Sequence, residues 1–504
     1  MAMMRCTGLK ILALAGLALM HLQAHAQQPP CPAPAEADGG PSNAHTRYLE
    51  RHLQPAVIAA GDAPFRLADR MQAYGVPGVS VAVIHRGRLE WARGWGYRDR
   101  ARCAPVTPDT AFQAASISKL ATATLALRLA EQGKIGLDQD INQALGSWQL
   151  PTDPTLASKG VTLAQLLSHT AGLGVHGFDR GFRPGQLLPT LVQILDGQPP
   201  SQNPPVRSVL PAGGQFEYSG GGYVLAQLAL SDVSGLTFGE LAQRELLAPL
   251  GMAHSAFAMP PPASLRANLA FAHANGEPIE GDFAIYPQLA PAGLWASASD
   301  LARLLMDLQA SAKGKRGHRL SPAMTHRMLR PVKDNWGLGP FLYTDGPLRF
   351  GHDGTNEGFQ SLAVAYADKG EGVVVLTNGG QGRRLIDEIV RAVATDYGWP
   401  EIAAPAAQAK TLPLAVLSRA AGRFHGGGLD VVLEAKPDGL YANAGAPVAE
   451  RLVTLSPTRF RAESIGVTVE FAPDFSSATM IEGAPPMKLY RIGDAPSAAQ
   501  GSKR

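Results

Sequence analysis

A serine, a lysine one helical turn further on and a tyrosine about a hundred residues later are the side chains in this sequence best able to break an acyl bond. Ser116-Ile117-Ser118-Lys119 has the form Ser-x-x-Lys at the head of an Ala- and Leu-rich run. Hydroxyl and amine therefore share one face of a helix, one turn apart. A serine attacks a carbonyl only when a base removes its proton, and Lys119 is the nearest base. A free lysine titrates near about 10.4, so bringing it near 7 requires burial that disfavours the ammonium by on the order of 4 kcal/mol. Taken alone the pattern also describes a solvated helix face, because chance supplies it about once or twice in a chain of this size.

Two further segments lend it weight. Phe216-Glu217-Tyr218-Ser219-Gly220-Gly221-Gly222-Tyr223 puts a tyrosine on a flexible turn that opens a helix, a geometry that presents a phenol into a cleft. Phe350-Gly351-His352-Asp353-Gly354-Thr355 precedes a pair of strands, where glycine lets a ligand approach the backbone closely. Singly, Tyr218 reads equally as a residue packed at a Gly-rich corner, and His352 as a structural histidine.

In this order and context the three segments make the chain resemble the serine β-lactamase and penicillin-binding-protein family, including its esterases and D-aminopeptidases. The Ser-x-x-Lys, Tyr-x-Asn and Lys-Thr-Gly elements of that family match Ser116 to Lys119, Tyr218 to Gly220 and His352 to Gly354. The resemblance covers about residues 60 to 398, with supporting segments Leu167-Ser168-His169-Thr170-Ala171-Gly172-Leu173 and Pro249-Leu250-Gly251-Met252. Two positions depart from it: Gly220 stands for the Asn of the second element and His352 for the Lys of the third. Both lost groups help hold a β-lactam in the family, so ester or D-residue peptide hydrolysis is placed ahead of β-lactam hydrolysis and acyl transfer.

The resemblance implies that Ser116 forms an acyl-enzyme that water then releases. Lys119 is the base, or Tyr218 is, as a phenolate sustained by Lys119; the sequence leaves both assignments open. The N–H groups of Ser116 and Thr355 would hold the oxyanion beside Gly354, and His352 would contact substrate or support Tyr218. The implied partner is a small ester, amide or peptide, with no cofactor. The 13 histidines are scattered without a His-Glu-x-x-His, and no Gly-x-Ser-x-Gly occurs, so neither zinc hydrolysis nor an α/β-hydrolase triad is indicated. Two rivals stand: a β-lactamase or D-Ala-D-Ala carboxypeptidase, and a peptidoglycan- or peptide-binding protein without turnover.

The elements that must position these groups can be read from periodicity. Val79 to Ile84 reads as a buried strand, His85-Arg86-Gly87 as a turn and Leu89 to Tyr97 as the returning strand. Helical patterns follow at Ala115 to Gln132, Leu163 to Leu167, Tyr223 to Val233, Phe238 to Leu247 and Ser299 to Leu308. Strands return at Ser361 to Ala367 and Gly372 to Thr377, followed by a helix carrying Leu385, Ile386, Ile389, Val390 and Val393. The expected fold is α+β: an antiparallel sheet assembled from both ends of a domain spanning 61–399, flanked by helices, with a mostly helical subdomain between. An Ala- and Pro-rich linker at 400–411 then leads to a small all-β, barrel-like domain at 412–494 and a disordered tail at 495–504.

With 504 residues, 45% of them hydrophobic and 17% charged, the chain is long enough for such a core and an accessory domain. Arg5 and Lys10 precede an apolar run from Ile11 to Met20 and a small-residue site at Ala24-His25-Ala26, which reads as a cleavable leader over residues 1–26. The run is shorter than the roughly 20 residues needed to cross a bilayer, so no integral membrane segment is expected in the mature protein. Residues 27–60 would form an N-terminal extension, and the protein would be periplasmic or secreted. Loss of Arg5 and Lys10 takes the net charge from +3 to +1 (3 − 2), which gives no reason to expect a nucleic-acid partner. Cys31 and Cys103 remain, and an oxidising compartment makes them candidates for a disulfide.

Overall fold

Alternation of apolar side chains to opposite faces of one sheet organises the molecule. The computed structural model describes residues 31, 39–59, 63–151, 153–156, 160–178, 181–404, 406–407, 410–445, 449–481 and 486–494. The leader and the tail read from the sequence lie outside these residues.

The chain enters the sheet through strands β1 (Gly78–His85) and β2 (Arg88–Asp99). Arg86 and Gly87 join them with positive φ at both positions (52° and 76°), the backbone that lets a two-residue turn match the strand twist. Short strand β3 (Ala104–Pro105) adds to β2. The other half comes from far along the chain: β4 (Phe341–Tyr343), β5 (Arg349–Asn356), β6 (Phe359–Tyr366) and β7 (Gly372–Thr377). The order is β4-β5-β6-β7-β1-β2-β3, with β7 antiparallel to β1, so the sheet does close from both ends of the sequence.

Ala82, Ile84, Ala363, Ala365, Val374 and Leu376 point to one face, and Val81, Val83, Leu362, Val364, Val373 and Val375 to the other. On the first face lie helices α1 (Ile117–Glu131) and α4 (Ala298–Ala312), with α2 (Leu163–Leu167) and α3 (Gly220–Ser234) in the helical region beyond. On the second lies α5 (Gly382–Tyr397), whose Leu385, Ile386, Ile389 and Val393 are buried against the strands. Helix α1 is buried on nearly every side, which its small and apolar residues permit, with Lys119 among the buried side chains. Gly133, at φ 70°, ends it: Gly133 N–H bonds Ala130 O and Lys134 N–H bonds Leu129 O, satisfying carbonyls that the last turn leaves free.

Eight further strands between Gly422 and Gly493 form a closed barrel. Phe424, Phe460, Phe471, Phe475, Leu440, Leu452 and Leu489 fill its interior. A helix, Leu414–Ala420, stands between the Pro-rich segment and the first barrel strand, and its Leu417 and Ala420 join the barrel core. The Pro-rich segment is itself paired, Ala406–Ala407 running parallel to Ile58–Ala59. The barrel meets the N-terminal part of the chain where Val57 N–H donates to Glu463 O (3.1 Å) and Ala56 and Val57 pack with Val453. Arg384 of α5 reaches Glu450 of the barrel at 3.5 Å. Cys31 and Cys103 are both disulfide-bonded. Among the described residues no helix is long and apolar enough to cross a membrane.

Candidate active site

Ala115 sets the position of Ser116. Its φ of 50° is unusual for a residue with a side chain, and the turn it makes delivers Ser116 to the first position before α1. Ile117, Ser118 and Lys119 N–H groups bond the carbonyls of Ala114, Ala115 and Ser116 at 2.9 to 3.1 Å, a tight opening turn. Ser116 remains partly exposed while its neighbours on both sides are buried.

One turn on, Lys119 Nζ donates to Ser116 Oγ (2.9 Å) and to Pro291 O (3.0 Å). The amine lies over the rings of Tyr218 (4.9 Å) and Tyr223 (5.7 Å), and Lys119 is only 2% exposed. Burial brings its pKa from 10.5 down to about 7, against an opposing pull from the Asp353 carboxylate. Near neutrality a large fraction of the amine is therefore a free base in contact with a serine hydroxyl.

Tyr218 comes from the turn ahead of α3, where Ser219 caps the helix by accepting the Gly222 N–H (2.9 Å). Burial raises the pKa of Tyr218, against the opposing influence of the nearby Ser116 hydroxyl, so the phenol stays protonated. Ser116, Lys119 and Tyr218, which span more than a hundred residues of sequence, thus meet at one point.

The third segment precedes the strand pair, and it is also a strand of its own: His352 to Thr355 lie inside β5, an edge of the sheet beyond Gly351 where β4 no longer pairs. Alternation then sorts them: His352 and Gly354 face inward, Asp353 and Thr355 outward. A Cβ on Gly354 would stand 2.7 Å from Ser116 N and 2.6 Å from Ala114 O, so only glycine permits this approach of the strand to Ser116. The Thr355 side chain turns away and donates to Gln360 Oε1 (2.8 Å), leaving its backbone as the part available to the site. His352 is 4% exposed, with Nδ1 donating to Asp353 O (2.5 Å) and its ring 6.4 Å from that of Tyr218. Burial, then the neighbouring Lys119, lower its pKa to about 4, so it is neutral at pH 7. The position held by Lys in the resembled motif thus carries no charge.

Several residues at the site escaped sequence reasoning. His169 stacks on Tyr218 with ring centroids 4.2 Å apart. Trp336 lies 5.1 to 5.6 Å from the rings of His169, Phe216, Tyr218 and His352, closing an aromatic box around the phenol. Pro291 contributes a carbonyl, for which no residue type gives a signal. His169 did lie in a segment singled out in the sequence, and a capping box (Thr162 with Gln165) marks the helix that ends just before it.

A strap of loop lies beside the Tyr218 ring. His176 contacts the Tyr218 ring at 4.9 Å, and Arg183, further along the same loop, makes two bonds to the Glu357 carboxylate (2.9 and 2.7 Å). Glu357 follows β5 directly, about 10 Å beyond Gly354 at strand rise. The described parts of this loop thus touch the phenol at His176 and the end of β5 at Arg183, and Phe182 pairs with Ile285. Among the described residues no three His, Cys, Asp or Glu side chains group as a metal site.

A family model described as Beta-lactamase matches residues 66–396, well over half of the chain. The chain belongs to the beta-lactamase family. Among curated relatives of this beta-lactamase-family chain, Penicillin-binding protein 4 of Amycolatopsis lactamdurans is 28% identical over 376 residues, covering 68% of this chain and 92% of that protein. Protein flp of Staphylococcus aureus is 23% identical, over 61% of this chain and 61% of its own length. Among solved structures, the octameric penicillin-binding protein homologue from Pyrococcus abyssi aligns with a TM-score of 0.56 at 22% identity, covering 84% of this chain and 98% of that chain. SurE aligns at 0.54 with 23% identity, covering 84% and 97%. At these identities the structural likeness is one of fold.

Proposed function

We propose that this protein is a serine hydrolase that forms an acyl-enzyme on Ser116 and cleaves short-chain esters or D-residue-containing peptides and amides. The observation that carries the reading is the contact of 2.9 Å between a buried Lys119 amine and Ser116 Oγ, where burial outweighs the pull of Asp353 and disfavours the ammonium. In the proposed cycle neutral Lys119 takes the Ser116 proton as Oγ attacks the substrate carbonyl. The N–H groups of Ser116 and Thr355 receive the oxyanion in the space that Gly354 leaves open. Tyr218, still protonated, passes a proton to the leaving group and later assists the water that frees the acyl group. This assigns the immediate base to Lys119 rather than to a Tyr218 phenolate, because burial lowers the first pKa and raises the second.

Esters and D-residue substrates are placed ahead of β-lactams because His352 is neutral and Gly220 has no side chain, so neither offers a fixed charge or amide to a substrate carboxylate. The leader expected from the sequence and the disulfide-bonded cysteines support action outside the cytoplasm, with residues 61–399 as the hydrolase domain and 412–494 as an accessory barrel.

The test is labelling by a fluorophosphonate, followed by turnover of p-nitrophenyl esters, D- and L-aminoacyl amides and a chromogenic cephalosporin. Wild type should label and favour esters or D-aminoacyl amides, and Ser116→Ala should do neither while keeping its fold. Preference for the cephalosporin would instead make the protein a β-lactamase. Binding of peptides with neither labelling nor turnover would make it a non-catalytic receptor.

A further inference from the structure

Three consecutive residues around the site tyrosine register on one histidine. Glu217 N–H donates to the main-chain carbonyl of His169 (2.8 Å), and Ser219 N–H donates to its Nδ1 (3.1 Å). Between them the Tyr218 ring stacks on the imidazole, centroids 4.2 Å apart and planes at 27°.

The imidazole itself is 1% exposed, and its Nε2 has no hydrogen-bond partner among the described residues. Since Nδ1 accepts from Ser219, the neutral ring carries its proton on Nε2, as a buried donor with no acceptor. That is a costly arrangement, and an apolar ring would fill the space without it. What an apolar ring lacks is the Nδ1 acceptor. The backbone of His169 is also left-handed (φ 57°), a conformation that histidine and asparagine adopt more readily than most residues. Burial and the nearby Lys119 keep the ring neutral, so it moves no proton in the working pH range.

We propose that His169 is the positioning residue for Tyr218: it fixes the backbone on both sides of the tyrosine and the plane of its ring, and so holds the phenol on Ser116. The inference rests on the reading of Tyr218 as a participant in proton transfer. His169 acts on the reaction through Tyr218 alone.

A double-mutant cycle tests this on the full-length enzyme with a p-nitrophenyl ester. His169→Ala should lower kcat by about 10- to 100-fold with KM changed by less than about threefold, the loss expected when a reacting group shifts by roughly 1 Å. In a Tyr218→Phe background the same substitution should change kcat by less than about threefold. His169→Asn, which keeps an acceptor near Nδ1 and tolerates the left-handed backbone, should recover most of the rate. Should the alanine variant not fold, His169→Asn and His169→Phe are compared in both backgrounds by the same criterion, since one keeps the acceptor and the other the stack. Equal losses with and without the Tyr218 hydroxyl would overturn the proposal, because His169 would then support the fold or another group. Wild-type kcat in Tyr218→Phe alone is a separate failure: it would remove the phenol from the chemistry and end the reading on which the inference rests.

Discussion

Lys119 Nζ stands 2.9 Å from Ser116 Oγ in a shell whose other contacts are one carbonyl and two aromatic faces. A cation there has lost most of its water, and among the described residues no carboxylate forms an ion pair with it, Asp353 acting only from a distance. Reactivity and instability have the same cause at this position, and the two can be measured separately.

The pH dependence of acylation should report the amine. Lys119 gains its proton below about 7, so kcat/KM for a p-nitrophenyl ester should rise with slope one as pH increases through about 7 and then level off. His352, already neutral above about 4, should add no second rise between pH 5 and 9. A flat profile across this range would exclude Lys119 as the base.

Stability should move the other way on removing the amine. Below about 7 the ammonium is charged in both folded and unfolded chains, so the penalty for burying it is fully present. Above about 7 the folded chain releases a proton that the unfolded chain keeps until about 10.5, and stability rises through that window. Lys119→Met should therefore abolish turnover yet stabilise the protein by about 2 kcal/mol at pH 6, after allowing for two lost hydrogen bonds. The gain should shrink toward pH 10; thermal melts at both pH values check it.

Gly354 gives a steric prediction. Its missing Cβ would lie 2.7 Å from Ser116 N, so Gly354→Ala should displace the strand from the nucleophile and lower kcat/KM by about 100-fold, the scale of losing one oxyanion donor. Circular dichroism should remain that of the wild type. Unchanged kinetics would place the oxyanion elsewhere.

The strap makes a prediction about acyl size. Arg183 and Glu357 are each about three-quarters buried and joined by two bonds, so Arg183→Ala should cost about 1 kcal/mol after solvent screening. It should also raise kcat/KM for long-chain relative to short-chain p-nitrophenyl esters. Exchanging the two residues, Arg183→Glu with Glu357→Arg, should restore both properties; a selectivity indifferent to all three variants would show that the strap does not bound the acyl pocket.

Legibility in the sequence followed the range of the interaction. Ser116 and Lys119 are a turn apart on one helix, the hairpin of β1 and β2 carries its own turn residues, and the barrel strands alternate, so each could be read locally. That His352 to Thr355 form a strand of their own is not legible locally, because glycines and polar side chains mask a strand's period when one face lines a crevice. Arg183 and Glu357 are 174 residues apart, and the stack of His169 on Tyr218 joins two loops; no local pattern announces either. Trp336, in a stretch bounded by prolines, had the same obscurity.

The pairing of β7 with β1 gives the protein a delayed onset of competence. A growing chain displays its serine and lysine early, yet the strand that must lie against them is held in register only through segments made near residue 377. No fragment ending before that point can complete the sheet edge beside Ser116, so an unfinished chain carries its serine and lysine without the wall they face.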